Sequence, residues 1–165
     1  MFSPRKTSTS QGDIVVLADS DYFPILLEKI TNAKSSIDLA MFVFRTTKSK
    51  KNRPSIIAQK LIAAAKRGVD IRVFLERSGH DEKLNETNQK TARRLRKRGI
   101  KVIFDSPRIT THTKTVVIDR RYSIVGSHNF THSALKKNHE LSLLVDNRIL
   151  AEELIGHMDR IEGGN

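Results

Sequence analysis

The sequence predicts an α/β sandwich, a mixed central sheet flanked by helices on both faces. Two observations lead to this prediction. Short apolar runs rich in β-favouring residues alternate along the chain with segments whose apolar residues recur every three or four positions. Pro54 and Gly68 stand where one such helical segment would begin and end. Alternating strands and helices are typical of helices packed on a sheet, although the strand order cannot be derived from one sequence.

The first half of the chain contains three predicted strands and two predicted helices. The strands are 14–17, 37–44 and 69–75, and the second of these is apolar apart from Asp38, as expected of a central strand. A polar surface loop is predicted for 46–53. The helices are indicated by two apolar stripes: Phe23, Leu26, Leu27 and Ile30, and then Ile57, Leu61, Ala64 and Ala65.

The second half continues the alternation. A helix over 85–98 ends at Gly99 and has the narrow apolar stripe Leu84, Thr91, Ala92 and Leu95. Strands are predicted at 102–104, 115–118, 123–125 and 141–145. A closing helix is indicated by the stripe Leu150, Leu154, His157, Met158 and Ile161.

The length of 165 residues suits one domain and is too short for two substantial ones. We expect a flexible polar N-terminus over 1–11 and a single domain over 12–165. The chain has no cysteine, which excludes disulfides, a thiolate nucleophile and zinc sites with sulfur ligands. No apolar stretch approaches the roughly 18 residues of a membrane-spanning helix. We therefore expect a cytoplasmic protein as the sequence stands, or a periplasmic or secreted one if a signal peptide was removed.

The net charge of +12 is concentrated in the middle of the chain, where residues 46–121 contain 21 Lys and Arg against 7 Asp and Glu. Such a basic surface suits a partner with closely spaced negative charges, either nucleic acid or an anionic membrane. A merely solvated basic face is the alternative. The candidate substrate-binding cations are Lys48, Lys50, Lys51 and Arg53 in the predicted loop, and Arg93, Arg94 and Lys97 in the third helix.

The candidate catalytic residues lie in the pattern H-x-K-x-x-x-x-D, which is followed after six residues by G-S-x-N. His112 and Lys114 lie two positions apart at the start of a strand, so their side chains project from the same face. A turn at 119–121 would return the chain as a hairpin. The returning strand would bring Gly126, Ser127 and Asn129 to the level of His112, and together these residues form a pocket for a phosphoryl group.

This pattern resembles the signature of the phospholipase D superfamily in every fixed position, and in particular its small nuclease-like members with a single motif. The segment 138–140 resembles the downstream Asn-x-Glu element of that family. The resemblance implies a phosphodiesterase that needs no metal and no cofactor.

In that mechanism His112 attacks phosphorus to form a phosphohistidine, and a second histidine protonates the leaving oxygen. Lys114 and Asn129, assisted by Ser127, hold the non-bridging oxygens. We expect Glu140 to orient His112 by accepting a hydrogen bond from its ring. Asp119 matches the motif but lies a full strand away. We therefore expect it to fix the turn or to pair with a neighbouring arginine.

The reaction needs two histidines, but only one copy of the motif exists, because none of the other histidines has a lysine two residues later. A two-fold homodimer that brings two His112 side chains together would supply both. Of the remaining histidines, His128 and His132 have no third metal ligand at a suitable spacing, and we expect His139 and His157 to be structural.

Three functions compete at this stage. The first is a non-specific endonuclease cleaving DNA or RNA. The second is a phosphodiesterase acting on phosphatidylcholine or cardiolipin, although no amphipathic helix with large exposed apolar residues is evident. The third is a non-catalytic nucleic-acid-binding module, which would not need the nucleophile His112.

Overall fold

The computed structural model of the chain describes residues 6–9 and 12–163. Eight strands and four α-helices occur in this part of the chain. The strands are β1 (Lys6–Thr9), β2 (Gly12–Ala18), β3 (Ser36–Met41), β4 (Asp70–Leu75), β5 (Lys101–Phe104), β6 (Lys114–Ile118), β7 (Tyr122–Gly126) and β8 (Leu141–Asp146). The helices are α1 (Tyr22–Asn32), α2 (Arg53–Lys66), α3 (Glu82–Arg96) and α4 (Arg148–Gly163), and a short 3-10 turn (Asp19–Asp21) precedes α1.

The strands form one mixed sheet in the order β1-β2-β8-β7-β6-β3-β4-β5. Neighbours among β3, β4 and β5 are parallel, and the other neighbouring strands are antiparallel. Met41 pairs with Lys114, and Gly126 pairs with Ser142. At one end of these strands, therefore, the end of β3 lies beside the start of β6, and the end of β7 lies beside the start of β8. We call this the His112 end of the sheet.

The helices cover the two faces of the sheet unequally. The larger core joins one face to α1, α2 and α3 through residues such as Leu26, Leu61 and Leu95. The smaller core joins the opposite face to α4, where Ile155 and Met158 pack near Phe74. The predicted α/β sandwich with helices on both faces is confirmed. None of the described helices is long and apolar enough to cross a membrane.

The predicted strand over 37–44 is wrong in its last three residues, because β3 ends at Met41. Beyond it, Asn88 of α3 bonds to the backbone in place of a neighbouring strand. Its amide nitrogen donates to the Phe42 carbonyl at 2.9 Å, and its oxygen accepts from the Phe44 amide at 3.0 Å. A buried asparagine that satisfies these peptide groups draws the chain out of the sheet and over α3.

The helix boundaries differ from the predictions at two N-termini. The predicted loop over 46–53 ends one residue early, because Asn52 caps α2 by accepting from the Ser55 amide at 3.0 Å. Asp81 likewise caps α3 by accepting from the Leu84 amide at 2.9 Å, so α3 begins at Glu82, before the predicted residue 85. Of the expected flexible stretch 1–11, residues 1–5, 10 and 11 lie outside the described residues, and Lys6–Thr9 pair with β2.

Candidate active site

His112 is exposed at the His112 end of the sheet, two residues before a nearly buried lysine. The Lys114 side chain is 8% exposed, and its Nζ donates to the His112 carbonyl oxygen at 2.5 Å. The ring of Phe42 lies 4.8 Å from the His112 ring and 5.3 Å from Lys114 Nζ. Burial lowers the pKa of Lys114, and the negative charge of Glu140 opposes this shift. An imidazole and a partly desolvated ammonium therefore share one small region.

The segment before His112 is anchored by two buried carboxylates that sequence reasoning missed. Glu76 accepts from the Thr111 amide at 2.6 Å, and Asp105 accepts from the Thr111 hydroxyl. Glu76 is 1% exposed, and burial raises its pKa. A sequence signal existed, because Glu76 directly follows β4 and Asp105 directly follows β5. Acidic residues that directly follow two adjacent parallel strands lie close together at the same end of those strands.

Gly126 allows β8 to approach β7 closely. A Cβ at this position would collide with the Leu141 carbonyl oxygen and with Ser142. Immediately afterwards, the Ser127 amide donates to the Leu141 carbonyl oxygen at 2.9 Å. The Ser127 hydroxyl accepts from the Leu141 amide at 3.0 Å and donates to the Glu140 carboxylate. Ser127 thus holds Glu140 at the His112 end of the sheet.

The prediction that Glu140 orients His112 is wrong within a single chain. The Glu140 carboxylate bonds to Ser127 and accepts from the Asn138 amide at 3.1 Å, and no hydrogen bond joins it to His112 in the described structure. Glu140 precedes β8, His112 precedes β6, and β7 lies between these strands.

Asn129 lies between Ser127 and the buried Phe130. Its Oδ1 atom is buried and has no hydrogen-bond partner among the described residues. A buried acceptor without a donor is costly, so this amide is where a ligand or a second chain would contribute a hydrogen bond.

Asp119 lies at the far end of β6 from His112, and the five residues of β6 between them span roughly 16 Å at about 3.3 Å per residue. Its carboxylate accepts from the Lys34 amide at 3.0 Å, from the Ser35 amide at 2.8 Å and from the Ser36 amide at 3.2 Å. These hydrogen bonds join the turn after β6 to the start of β3. The two arginines that follow it pair with other acids, Glu152 and Asp146.

The other histidines have separate surroundings. His128 is fully buried and stacks on Tyr22, with its ring nitrogens 2.8 Å from Ser142 Oγ and from the Asp19 carbonyl oxygen. His132 accepts from the Arg53 amide at 3.3 Å. His157 is exposed, contrary to its expected place on the apolar stripe of the last helix. Within residues 6–9 and 12–163, no cluster of three or more His, Asp or Glu could hold a metal ion.

The predicted cationic residues do not all lie on one surface. Lys48, Lys50 and Lys51 are exposed in the loop before α2. Arg93 of α3 and Lys97, which directly follows this helix, are also exposed, whereas Arg94 is half-buried. Lys48 and Arg94 line a concave region of about 380 Å³ between that loop and α3, together with Thr46, Thr47 and Lys90. We call the exposed and half-buried cations of this loop and of α3 the α3 basic surface.

Arg53 does not belong to the α3 basic surface and must be removed from the candidate substrate contacts. Its guanidinium donates to the Leu135 carbonyl oxygen and lies 4.8 Å from the centre of the Phe23 ring. As the first residue of α2, it points back toward the segment after β7 and fastens that segment to the helix.

Comparison with known proteins agrees with this fold. Residues 26–162 match the family described as "Cardiolipin synthase, PLD-like domain". The chain belongs to this family. Its membership places it in the phospholipase D superfamily, whose enzymes are of the phosphodiesterase type, and confirms the resemblance seen in the sequence.

Three relatives illustrate the range of this superfamily. A phospholipase D of Rickettsia prowazekii is 37% identical over 101 residues, which are 61% of this chain and 47% of the relative. The structure of Nuc from Salmonella typhimurium, a phospholipase D family member, is similar with a TM-score of 0.76 and 24% identity, covering 92% of this chain and 95% of Nuc. NucT from Helicobacter pylori gives a TM-score of 0.73 at 19% identity, covering 92% of this chain and 96% of NucT. The chain thus spans about half the length of the curated phospholipase D.

Proposed function

We propose that this protein is a metal-independent phosphodiesterase that cleaves nucleic acid without sequence preference. The observation that carries the proposal is the exposed His112 imidazole beside the partly desolvated ammonium of Lys114. Ser127, Asn129 and Glu140 complete the set at the same end of the sheet. An imidazole suits nucleophilic attack, and a cation held near it suits the charge that develops on the phosphoryl oxygens.

The reaction proceeds in two displacements. A ring nitrogen of His112 forms a bond to phosphorus while the bond from phosphorus to the leaving oxygen breaks, and that oxygen takes a proton from a second imidazole. Water then attacks phosphorus and gives its proton to the second imidazole. The bond between His112 and phosphorus breaks, releasing a phosphomonoester. Lys114 and the Asn129 amide hold the non-bridging oxygens during both steps.

The second imidazole comes, in our proposal, from a second copy of the chain. The sequence has one motif, and the Glu140 carboxylate bonds to Ser127 and Asn138 and not to the His112 of its own chain. We therefore assign Glu140 to the histidine of the partner. Exposed apolar side chains beside Glu140 support an approach of the partner from this side: Leu141 is 57% exposed, and Leu143 and Val16 are each 40% exposed.

Nucleic acid is the favoured substrate because of the α3 basic surface. Its cations lie along a helix whose residues Asn88 and Thr91 bond to the chain next to Phe42, and Phe42 contacts His112. A polyanion following that helix would therefore reach His112. The chain shares the fold of Nuc and NucT over 92% of its length.

A phospholipid phosphodiesterase is the second candidate function. The family description names cardiolipin synthase, and the Rickettsia relative is named phospholipase D. The α3 basic surface would then attract an anionic membrane.

The test is to incubate the purified protein in EDTA with labelled single- and double-stranded DNA, RNA, and phosphatidylcholine or cardiolipin vesicles. We expect cleavage of nucleic acid that survives EDTA, weakens as salt is raised, and is lost in His112→Ala. His80→Ala is the matched control, because this exposed histidine lies outside the motif.

Turnover of lipid without cleavage of nucleic acid would favour the second candidate. Binding of nucleic acid without any cleavage would indicate a non-catalytic binding module. Cleavage that EDTA abolishes would contradict the metal-independent mechanism.

A further inference from the structure

A second concave site adjoins His112 on the side of the sheet covered by α4. It is a cavity of about 180 Å³ between the segment 109–113 and the C-terminal half of α4. His112 lines it from the segment, and His157 and Arg160 line it from the helix. Because α4 begins after β8 at the far end of the sheet and runs back, its last turns lie beside the His112 end.

The two α4 residues form a donor pair. Arg160 Nη2 lies 3.0 Å from His157 Nδ1. Arginine has no acceptor atom, so His157 must accept through Nδ1, and its neutral ring then carries a proton on Nε2. Arg160 Nη1 also lies 3.5 Å from the Gly156 carbonyl oxygen. The imidazole N–H and the guanidinium N–H groups that make neither of these two contacts are available to a ligand.

The charge of Arg160 is not neutralised by an acid in the described part of the chain. The neighbouring acids of α4 are already used: Asp159 pairs with Arg72 at 2.7 Å, and Glu162 pairs with Lys101 at 2.5 Å. One carboxylate, Asp105, does line the cavity. Its two oxygens accept from the Ser106 amide and from the Thr111 hydroxyl, so it is occupied within its own segment.

We propose that this cavity binds the phosphate adjacent to the one being cleaved in a nucleic-acid strand. An arginine that keeps unused guanidinium N–H groups beside a histidine N–H is a suitable receptor for a phosphate. The inference rests on the proposed function and extends it, because it defines the path of the strand over the protein surface. The strand would enter over the α3 basic surface, on one face of the sheet, and pass His112. It would then leave over Arg160, on the other face.

The consequence is a preference for substrates with two consecutive phosphodiesters. The dinucleotide TpT carries one phosphate, and the trinucleotide TpTpT carries two. We expect the wild-type protein to cleave TpTpT with a kcat/KM about tenfold higher than TpT. Arg160→Gln should lower kcat/KM for TpTpT to the value for TpT and leave TpT unchanged. A TpTpT with one neutral methylphosphonate linkage should behave as TpT with both proteins.

Arg148→Gln is the matched control, since Arg148 is an exposed arginine at the opposite end of the same helix. It should keep the full preference for TpTpT. The inference would be overturned, while the proposed function stands, if Arg160→Gln lowered kcat/KM equally for TpT and TpTpT. It would also be overturned if the wild type cleaved TpTpT no faster than TpT. If the wild type cleaves neither nucleotide and equals His112→Ala, the proposed function fails, and the inference with it.

The same variant separates nucleic acid from a two-phosphate lipid. Cardiolipin contains two phosphates, and phosphatidylcholine contains one. A preference for cardiolipin vesicles that Arg160→Gln removes, with none for TpTpT over TpT, would assign the cavity to a lipid head group and overturn the proposal.

Discussion

At the scale of single residues, Gly126 is the position where the site has the least free space. The absence of a Cβ lets the start of β8 lie against the end of β7, and this contact aligns Ser127 with Glu140. The requirement is one of space, since Gly126 has no left-handed backbone conformation. A side chain at residue 126 would push apart the two strands that bring the site residues together.

Gly126→Ala should therefore destabilise the protein by about 1–3 kcal/mol, the usual range for an overpacked interior. Gly156→Ala provides the control, because a Cβ there meets nothing within 4 Å. Alanine is also the better helix former, so this variant should gain up to about 1 kcal/mol. Urea denaturation of both variants measures the difference. Equal stabilities would show that β8 can move away from β7 at no cost.

His128 shows how a histidine inside the motif region serves the fold. Burial lowers the pKa of His128, while its hydrogen bond to the Asp19 carbonyl opposes the shift. The folded state therefore favours the neutral ring, and the unfolded state binds a proton near the ordinary pKa of 6.5. The unfolded chain holds more protons in this window, so stability increases with pH.

We accordingly expect the free energy of unfolding to fall as the pH is lowered below about 6.5. Urea denaturation at pH 5.5 and 7.5 measures this change. In His128→Gln the change should be smaller, because the variant has no ring to protonate. A pH dependence as steep as that of the wild type would assign the effect to other groups.

At the scale of elements, the segment between β5 and β6 decides where His112 stands. It contains no regular structure, yet Thr111 is held by Glu76 after β4 and by Asp105 after β5. Two adjacent parallel strands thus each contribute an acid that fixes the approach to β6. His112 is attached to the sheet on both sides, through Thr111 before it and Lys114 after it.

Glu76→Ala should lower kcat by about ten- to a hundredfold, because the Thr111 amide loses its acceptor and His112 shifts. Glu76→Gln keeps an acceptor oxygen and removes the buried charge. Its kcat should therefore stay close to that of the wild type, with equal or higher stability. Steady-state kinetics together with urea denaturation distinguish the two variants. Equal kcat in Glu76→Ala and the wild type would mean that Thr111 does not position His112.

At the scale of the whole molecule, the asymmetry of the sheet is the main feature. Three helices cover one face and α4 covers part of the other, so that Val16, Leu141 and Leu143 on β2 and β8 stay exposed. This uncovered region adjoins the single set of site residues. A second chain would complete the active site and cover these apolar side chains at the same time.

Mixing wild-type chains with His112→Ala chains tests whether two chains share one active site. Equal amounts of wild-type and His112→Ala chains, allowed to exchange, give roughly one quarter wild-type dimers. Activity should then fall to about a quarter of that of the same total amount of wild-type protein. Retention of half the activity would show that each chain works alone. His80→Ala chains mixed in the same way should leave the activity unchanged.

The sequence predicted the elements and the chemistry because both are local patterns. The stripes that place α1, α2 and α4 and the caps at Gly68 and Gly99 depend on residues close together in the chain, and both glycines have the positive φ expected of such caps. The pairing of His112 with Lys114 and the return of Ser127 depend on one strand and one hairpin. Asn88 was missed for the opposite reason, since its partners are 44 and 46 residues away.

What the sequence determined by itself is therefore the family, the α/β class, and the candidate site residues. The tertiary structure alone decided which of them meet, since the Glu140 carboxylate bonds to Ser127 and Asn138 and not to the His112 of its own chain. It also directed Arg53 away from the basic surface and brought His157 and Arg160 of the last helix beside His112. These relations depend on strand order and helix direction, which join residues far apart in the chain and leave no local pattern in the sequence.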